Sequence, residues 1–344
     1  MPEIYGVMCV QAETHVVTGP ADRDEVIRRN VARAVDLLDF ASAEARFQTR
    51  LVVFPEFCLT GVPESRTLQD YLLDAEPIPG PVTAPLQNAA AKHGLHVALN
   101  TFERDDAWPG RLFNTSFIID PRGDIILKYR KHNDAYAPVN THPGDVYSRY
   151  VELYGEDALF PVVDTDIGRL ACITCYDICF PEAARCFALK GAEVLIMPTG
   201  EGHTFVRKQS LMRQARAYEN SCYVVSANHG RFYGGLRPAF QQGGYTEIIN
   251  FDGDVVLRTE GPGEATLSGL IDLHALRAKR SRVDFYNLLA CFRTELYARE
   301  YLRHPGWPLD AQADRPIQAK EENFELGRKV LESLNLPGTR PGAW

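Results

Sequence analysis

Short, unbroken apolar runs recur along this chain, and they restrict its possible folds more than any other feature. Residues 51–54 read Leu-Val-Val-Phe without a polar position, as a strand buried on both faces must. Further strand-like runs fall at 96–101, 114–119, 125–130, 170–174, 194–197 and 223–227. Between them, the stretches 24–45, 181–190 and 204–220 read as helices. In the first, Ile27, Val31, Ala34, Leu38 and Ala41 share one face. Strands of this kind alternating with helices indicate an α/β protein. Two sheets packed face to face, with helices outside, would bury them.

One internal echo stands out. Residues 117–128 (FIIDPRGDIILK) match 247–258 (EIINFDGDVVLR), each an apolar strand, a Gly-Asp turn and a second apolar strand. Either hairpins simply share this grammar, or two similar halves face each other across a pseudo-symmetric core.

With 344 residues, 45% of them hydrophobic, the chain can bury one large domain or two ordinary ones. No Gly/Ser-rich linker divides the body. After about residue 300 the prolines at 305, 308, 316, 337 and 341 mark a change, which divides the chain into 1–300 and a 301–344 extension. A helix at 320–335 within it carries Phe324, Val330, Leu331 and Leu334 as an apolar stripe. Such an extension wraps its own domain or a neighbouring subunit, and a homo-oligomer (dimer or higher) is expected.

The net charge of −8 and the scattered basic residues disfavour nucleic acid as a partner. No apolar run approaches the ~18 residues that span a bilayer. The first residues go straight into a strand-like pattern, so a cytoplasmic protein is expected. Eight cysteines in so long a chain do not make a disulfide scaffold. Cys172 and Cys175 form a C-x-x-C, but on a strand an odd separation turns two side chains to opposite faces. No second C-x-x-C and no H-E-x-x-H accompany them, so no metal or cofactor is expected and Cys172 reads as core.

Three of the apolar runs end in reactive side chains. Val52-Val53-Phe54-Pro55-Glu56 ends in a carboxylate, Leu127-Lys128-Tyr129-Arg130-Lys131 in an ammonium, and Leu170-Ala171-Cys172-Ile173-Thr174-Cys175 in a thiol. A thiol with a pKa near about 8.5 is mostly protonated at neutral pH. A carboxylate beside it can take its proton as the sulfur attacks. An ammonium favours thiolate and can hold the negative oxygen that develops on a carbonyl. Each residue alone has a structural explanation as a cap, a solvated strand end or core packing. Together, at three strand ends, they indicate chemistry.

These segments resemble the nitrilase superfamily of carbon–nitrogen hydrolases. The resemblance rests on Phe54-Pro55-Glu56, Tyr129-Arg130-Lys131 and Cys175-Tyr176-Asp177 with Phe180-Pro181-Glu182. Lys131 and Cys175 also stand 44 positions apart, which fits the family, and the likeness runs from about residue 4 to about residue 276. It implies a four-layer αββα sandwich of the nitrilase type and a Glu-Lys-Cys triad. Glu56 would be the general base, Lys131 the oxyanion stabiliser and Cys175 the nucleophile, helped by the backbone N–H of Tyr176.

Many relatives carry a second glutamate between the lysine and the cysteine. Its register falls here on Ser148, beside Arg149; Asp145 and Glu152 are the nearby acids, and Glu152 is preferred. Where relatives with a Cys-Tyr-Asp core often have arginine, this chain has Cys179, which disfavours a dicarboxylate amide. Tyr136, Thr199, His203 and Phe205 lie on loops beyond the strand ends and suggest a small uncharged or partly aromatic acyl group. Tyr-Asp after the nucleophile resembles amide and carbamoyl hydrolases, whereas nitrilases typically have Trp-Glu. Hydrolysis of a small amide or N-carbamoyl compound is therefore the expected activity. The alternatives are a nitrilase acting on an organic nitrile and a non-catalytic scaffold, the latter disfavoured by the intact Glu56, Lys131 and Cys175.

Overall fold

A computed structural model describes residues 3–44, 46–62, 67–134, 140–234, 239–241, 243–304 and 306–334. The first half runs β1 (Ile4–His15), α1 (Arg23–Ala43), β2 (Thr49–Val53), α2 (Leu68–Asp74), α3 (Ala84–His93), β3 (His96–Glu103), β4 (Phe113–Ile119), β5 (Ile125–Arg130) and α4 (Tyr147–Tyr154). The second half runs β6 (Val163–Thr165), β7 (Gly168–Cys172), α5 (Pro181–Leu189), β8 (Val194–Pro198), α6 (Val206–Asn220), β9 (Tyr223–Ala227), β10 (His229–Tyr233), β11 (Ala239–Gln241), β12 (Gly244–Ile249), β13 (Val255–Glu260) and β14 (Ala265–Asp272). Helices α7 (Leu273–Arg280), α8 (Thr294–Arg303) and α9 (Lys320–Leu334) close the described chain.

The strands form two sheets. The first is ordered β11-β10-β1-β2-β3-β4-β5, with β14 also paired to β1, and the second β13-β12-β9-β8-β7-β6. Side-chain alternation sets the layers. Val7, Cys9, Leu51, Val53 and Ala98 point between the sheets, while Met8, Val10, Val52, Val97 and Leu99 meet α1 and α3 on the outer face. Helices α5 and α6 pack together, with α6 against β9 and β12 of the second sheet. The expected four-layer αββα arrangement follows.

Of the two readings of the internal echo, pseudo-symmetry accounts for more. Strands β1, β2 and β3 are parallel and continue into antiparallel β4 and β5; β7, β8 and β9 are parallel and continue into antiparallel β12 and β13. The two hairpin turns agree bond for bond. Asp120 Oδ1 accepts the N–H groups of Arg122 and Asp124, as Asn250 Oδ1 accepts those of Asp252 and Asp254, all at 2.9 Å. Gly123 and Gly253 both have positive φ, and a Cβ there would lie 2.9 Å from Gln87 O on α3 or 3.0 Å from Gln214 O on α6. Each turn therefore needs glycine twice over, for its dihedral and for the helix it touches.

The strand that delivers Lys131 is locked by a buried ion cluster. Arg130 Nε and Nη2 donate to Glu103 at 2.8 and 3.0 Å, and Lys128 Nζ and Thr115 Oγ1 add bonds of 2.7 Å each. The Arg130 guanidinium also lies 4.2 Å from the Phe113 ring centroid. Burial opposes the Glu103 carboxylate, but Arg130 and Lys128 hold its pKa below the usual glutamate range. Removing the acid would leave Arg130 buried with Asp105 as its remaining carboxylate and without its paired Nε and Nη2 bonds to Glu103. Glu103→Ala is expected to cost about 3–5 kcal/mol of stability in denaturant unfolding. Because the folded pKa is depressed, that contribution is present above the unfolded value of about 4.3 and fades as pH falls below it. A loss near zero at neutral pH would contradict this account.

Candidate active site

Glu56 lies three residues past β2, Lys131 directly past β5, and Cys175 three residues past β7. Glu56 and Lys131 are almost wholly buried, and Lys131 Nζ lies 2.8 Å from Glu56 Oε1. The inner faces of the strands lead to them. Residues 127 and 129 on β5 point between the sheets, and Lys131 continues that row. On β4 the inner row runs from Ile118 through Ser116 to Asn114, apolar to polar towards the site. Asn114 Nδ2 donates to Glu56 Oε1 at 2.8 Å, and Asn100 Nδ2 donates to Asn114 Oδ1 at 2.7 Å and Ser116 Oγ at 3.0 Å. Ser116 Oγ in turn bonds Thr174 Oγ1 at 2.7 Å, next to Cys175.

Main-chain contacts fix the Glu56 loop. Phe57, at φ +58°, donates its N–H to Asn100 Oδ1 at 2.9 Å. The Glu56 carbonyl accepts from His229 Nε2, whose ring bonds Thr14 through Nδ1 at 3.1 Å. Burial pushes His229 down to about 4, so it is neutral and donates from Nε2.

The cysteine occupies a strained turn. Cys175 has φ +46° and opens one turn of 3-10 helix, Cys175–Cys179, before the helix that starts at Pro181. A non-glycine residue there costs about 1–3 kcal/mol, which the surroundings must offset. Asp177 supplies much of that. Its Oδ2 accepts from Tyr129 at 2.6 Å and from His132 N at 3.3 Å, and its Oδ1 accepts from Asn133 N at 2.8 Å. One buried acid thus ties the cysteine turn to the lysine loop. Arg216 braces the same turn from α6, donating to the carbonyls of Ile178 at 3.1 Å and Cys179 at 3.3 Å.

Burial and the Glu56 charge push the Cys175 thiol well above the usual cysteine range, against Lys131, which favours thiolate. The ammonium favours thiolate, as expected, but burial and the Glu56 charge outweigh it. Burial works against the Lys131 ammonium, yet Asp134 and Glu56 more than offset it and hold the lysine protonated. The sulfur thus keeps its proton beside the Glu56–Lys131 pair.

The second acid is neither of those expected. Asp134, three positions after Lys131, places Oδ1 2.7 Å from Nζ. Glu152 lies on the exposed side of α4, away from the lysine, because that helix turns Tyr150 inward instead. Asp145 is buried but bonds His142 at 2.8 Å. Ser148 donates to Asp310. Thr199 does lie at the site: its Oγ1 donates to Glu201 Oε1 at 2.9 Å, and it favours the ionised form of Cys175. Glu201, not anticipated, is buried and pushed up to about 7 by desolvation, against Arg213 and Thr199, which favour its carboxylate. Its signal was position: it follows β8 by three residues, as Glu56 follows β2. His203 and Phe205 are exposed at the start of α6 and do not join the site. Tyr136 lies outside the described residues. Cys172 is core.

A cavity of about 500 Å³ adjoins these groups. Asp134, Phe160, Tyr176 and Phe180 line it from the body, and Trp307, Leu309 and Val330 from the extension. Its walls include sequence neighbours of Lys131 and Cys175, though neither of those two residues itself.

Comparison with known proteins places this geometry. Residues 9–281 match the carbon–nitrogen hydrolase family. Formamidases of Bacillus thuringiensis (strain Al Hakam) and Bacillus cereus (strain AH820) are each 30% identical over 252 residues, 72% of this chain and 68% of theirs. Saccharomyces cerevisiae Nit3, a member of branch 10 of the nitrilase superfamily, is similar in fold with a TM-score of 0.64 at 23% identity, over 82% of this chain and 95% of its own. An amidase from Nesterenkonia sp. gives 0.63 at 18% identity, over 86% and 96%.

The thiol state has a direct readout. Alkylation of Cys175 by iodoacetamide, followed by intact mass, is expected to rise continuously from about pH 6 to about pH 9. A plateau reached below about pH 7 would mean a preformed thiolate and would overturn the charge assignment.

Proposed function

This chain belongs to the carbon–nitrogen hydrolase family, and from that premise we propose that it hydrolyses a small amide to acid and ammonia through a cysteine thioester. The observation that carries the reading is the buried Glu56–Lys131 pair, 2.8 Å apart, converging on the strained Cys175 turn. Glu56 takes the thiol proton as Sγ attacks the amide carbon, and a C–S bond forms while the carbonyl π pair moves to oxygen. Lys131 and the backbone N–H of Tyr176 stabilise that oxyanion. Glu56 then gives its proton to the departing nitrogen, the C–N bond breaks, and a thioester remains. A water deprotonated by Glu56 attacks the thioester; the acid leaves and the proton returns to sulfur.

A neutral acyl group suits the site. Lys131 is engaged by Glu56 and Asp134, and Arg213 by Glu201 and Glu247, so neither cation is spare for a substrate carboxylate. Cys179 stands where an arginine would have supplied one. The formamidase relatives favour the small end of the range, and N-carbamoyl compounds are the other class that the proposal includes. A homo-oligomer is supported by Leu296, Tyr301 and Leu302 on α8, and by Val283 and Phe285 before it, all solvent-exposed in the single chain.

Ammonia release across formamide, longer aliphatic amides, aryl amides, N-carbamoyl compounds and nitriles tests the substrate class, and small amides are expected to lead. Cys175→Ala is expected to abolish turnover, and Lys131→Ala to lower kcat by at least about 10²–10³-fold. Substantial turnover by either folded variant would refute the roles. For assembly, Phe285→Glu with Leu302→Glu is expected to bring the sedimenting mass down to that of one chain. An unchanged assembly mass would remove this face from the interface.

A further inference from the structure

The extension is bonded to the body at its proline-rich stretch, far more closely than a loose tail would be. Asp310 N donates to Gly144 O at 2.9 Å, Gln312 N donates to Asp145 O at 2.8 Å, and Ser148 donates to the Asp310 carboxylate from N at 2.9 Å and from Oγ at 2.6 Å. Arg111 Nη2 donates to the Gln312 carbonyl, and Ile317 is buried. All of these surround one buried acid, Asp145. Trp307 Nε1 donates to its Oδ1 at 3.1 Å and Gln312 Nε2 to its Oδ2 at 2.6 Å.

From Asp145 the bonds run inward without a gap. His142 Nδ1 lies 2.8 Å from Asp145 Oδ2, and His142 Nε2 lies 2.9 Å from Asp134 Oδ2. Asp134 Oδ1 is 2.7 Å from Lys131 Nζ, which is 2.8 Å from Glu56 Oε1. With a carboxylate on each nitrogen, the imidazole donates in both directions. Both Asp134 oxygens are committed, one to the lysine and one to the histidine, so the cluster is not an empty cation site.

The chemistry of Lys131 shows what this chain of bonds can do. A lysine ammonium has three protons on a stem of four rotatable bonds and no directionality of its own. Glu56 fixes one proton. Asp134 fixes the second, and the third is then constrained to a single region beside Cys175. With only one carboxylate, Nζ could swing about that contact.

We propose that residues 307–312 of the extension position Lys131 through Asp145, His142 and Asp134, so that the oxyanion-holding geometry is complete only with the extension docked. This rests on the reading of Lys131 given above. The relay residues are positioning residues, since none touches the reacting atoms. The opposing explanation is that Asp145 and His142 only pin the extension down, in which case stability would fall without a specific loss of turnover rate.

A double-mutant cycle in the full-length chain separates the two. Trp307→Phe with Gln312→Leu removes both donors to Asp145 at the outer end, and Asp134→Asn cuts the inner end. The outer pair is expected to lower kcat by about tenfold or more, as for a reacting group displaced by a remote change, with KM little altered. Adding Asp134→Asn should then cost no more than Asp134→Asn alone. Cys175 alkylation at fixed pH should slow in the same non-additive pattern, since a mispositioned ammonium stabilises thiolate less. An outer variant with wild-type kcat, or losses that multiply independently, would overturn the proposal. If the wild-type protein released ammonia from no amide tested, the functional reading would fail, and the alkylation cycle would still decide the coupling. Should the outer pair not fold, Trp307→Phe alone, which keeps an aromatic ring, is expected to show the same coupling to Asp134→Asn. Independent losses there would overturn it equally.

Discussion

The arrangement depends on keeping one carboxylate and one ammonium, Glu56 and Lys131, in contact at 2.8 Å while both are almost entirely out of water. Each buried ion loses several kcal/mol of hydration, and mutual attraction returns that only when the remaining polar atoms also find partners. Asn114 on Glu56 and Asp134 on Lys131 are those partners. Their own supports, Asn100, Ser116 and Thr174, explain why the inner faces of otherwise apolar strands turn polar towards one end of the sandwich.

How much of this was legible follows from what kind of contact each residue makes. Continuous apolar runs report burial on both faces, so the strand at 223–227 was readable to the residue. The reactive strand ends were readable because a strand gives its last inward position a defined direction. Asp134 was not, since its partner three residues away is reached through a loop rather than a helix turn, and loops carry no period. Glu152 misled for the converse reason: helix α4 does have a period, and it sends Tyr150 rather than Glu152 inward. Helix α8, with no buried residue in the single chain, left no core-facing stripe to read as part of the domain.

The two halves show how a repeated frame can be put to unequal use. Gly123 and Gly253 do the same work against α3 and α6, and the carboxylates past β2 and β8 follow their strands by the same three residues. Their surroundings differ. Glu56 meets the ammonium of Lys131, whereas Glu201 is enclosed with Thr199 and Arg213 and is pushed up to about 7. Two acids of equivalent placement are thereby held in different electrostatic settings, and the charge of each opposes the Cys175 thiolate.

Holding the proton on sulfur has a consequence for selectivity. A preformed thiolate would react with any passing electrophile or oxidant, because the anion is the nucleophile. In this site desolvation and the neighbouring Glu56 charge oppose that anion until something compensates for them. In the reaction proposed above, an amide entering beside Lys131 would supply the compensation, since negative charge leaving sulfur would reappear on its carbonyl oxygen within reach of the ammonium. On that proposal, proton transfer to Glu56 and attack on carbon become favourable together and neither alone. The strained backbone at Cys175 serves the same end, presenting Sγ to that oxygen's carbon without the freedom to retreat into the core.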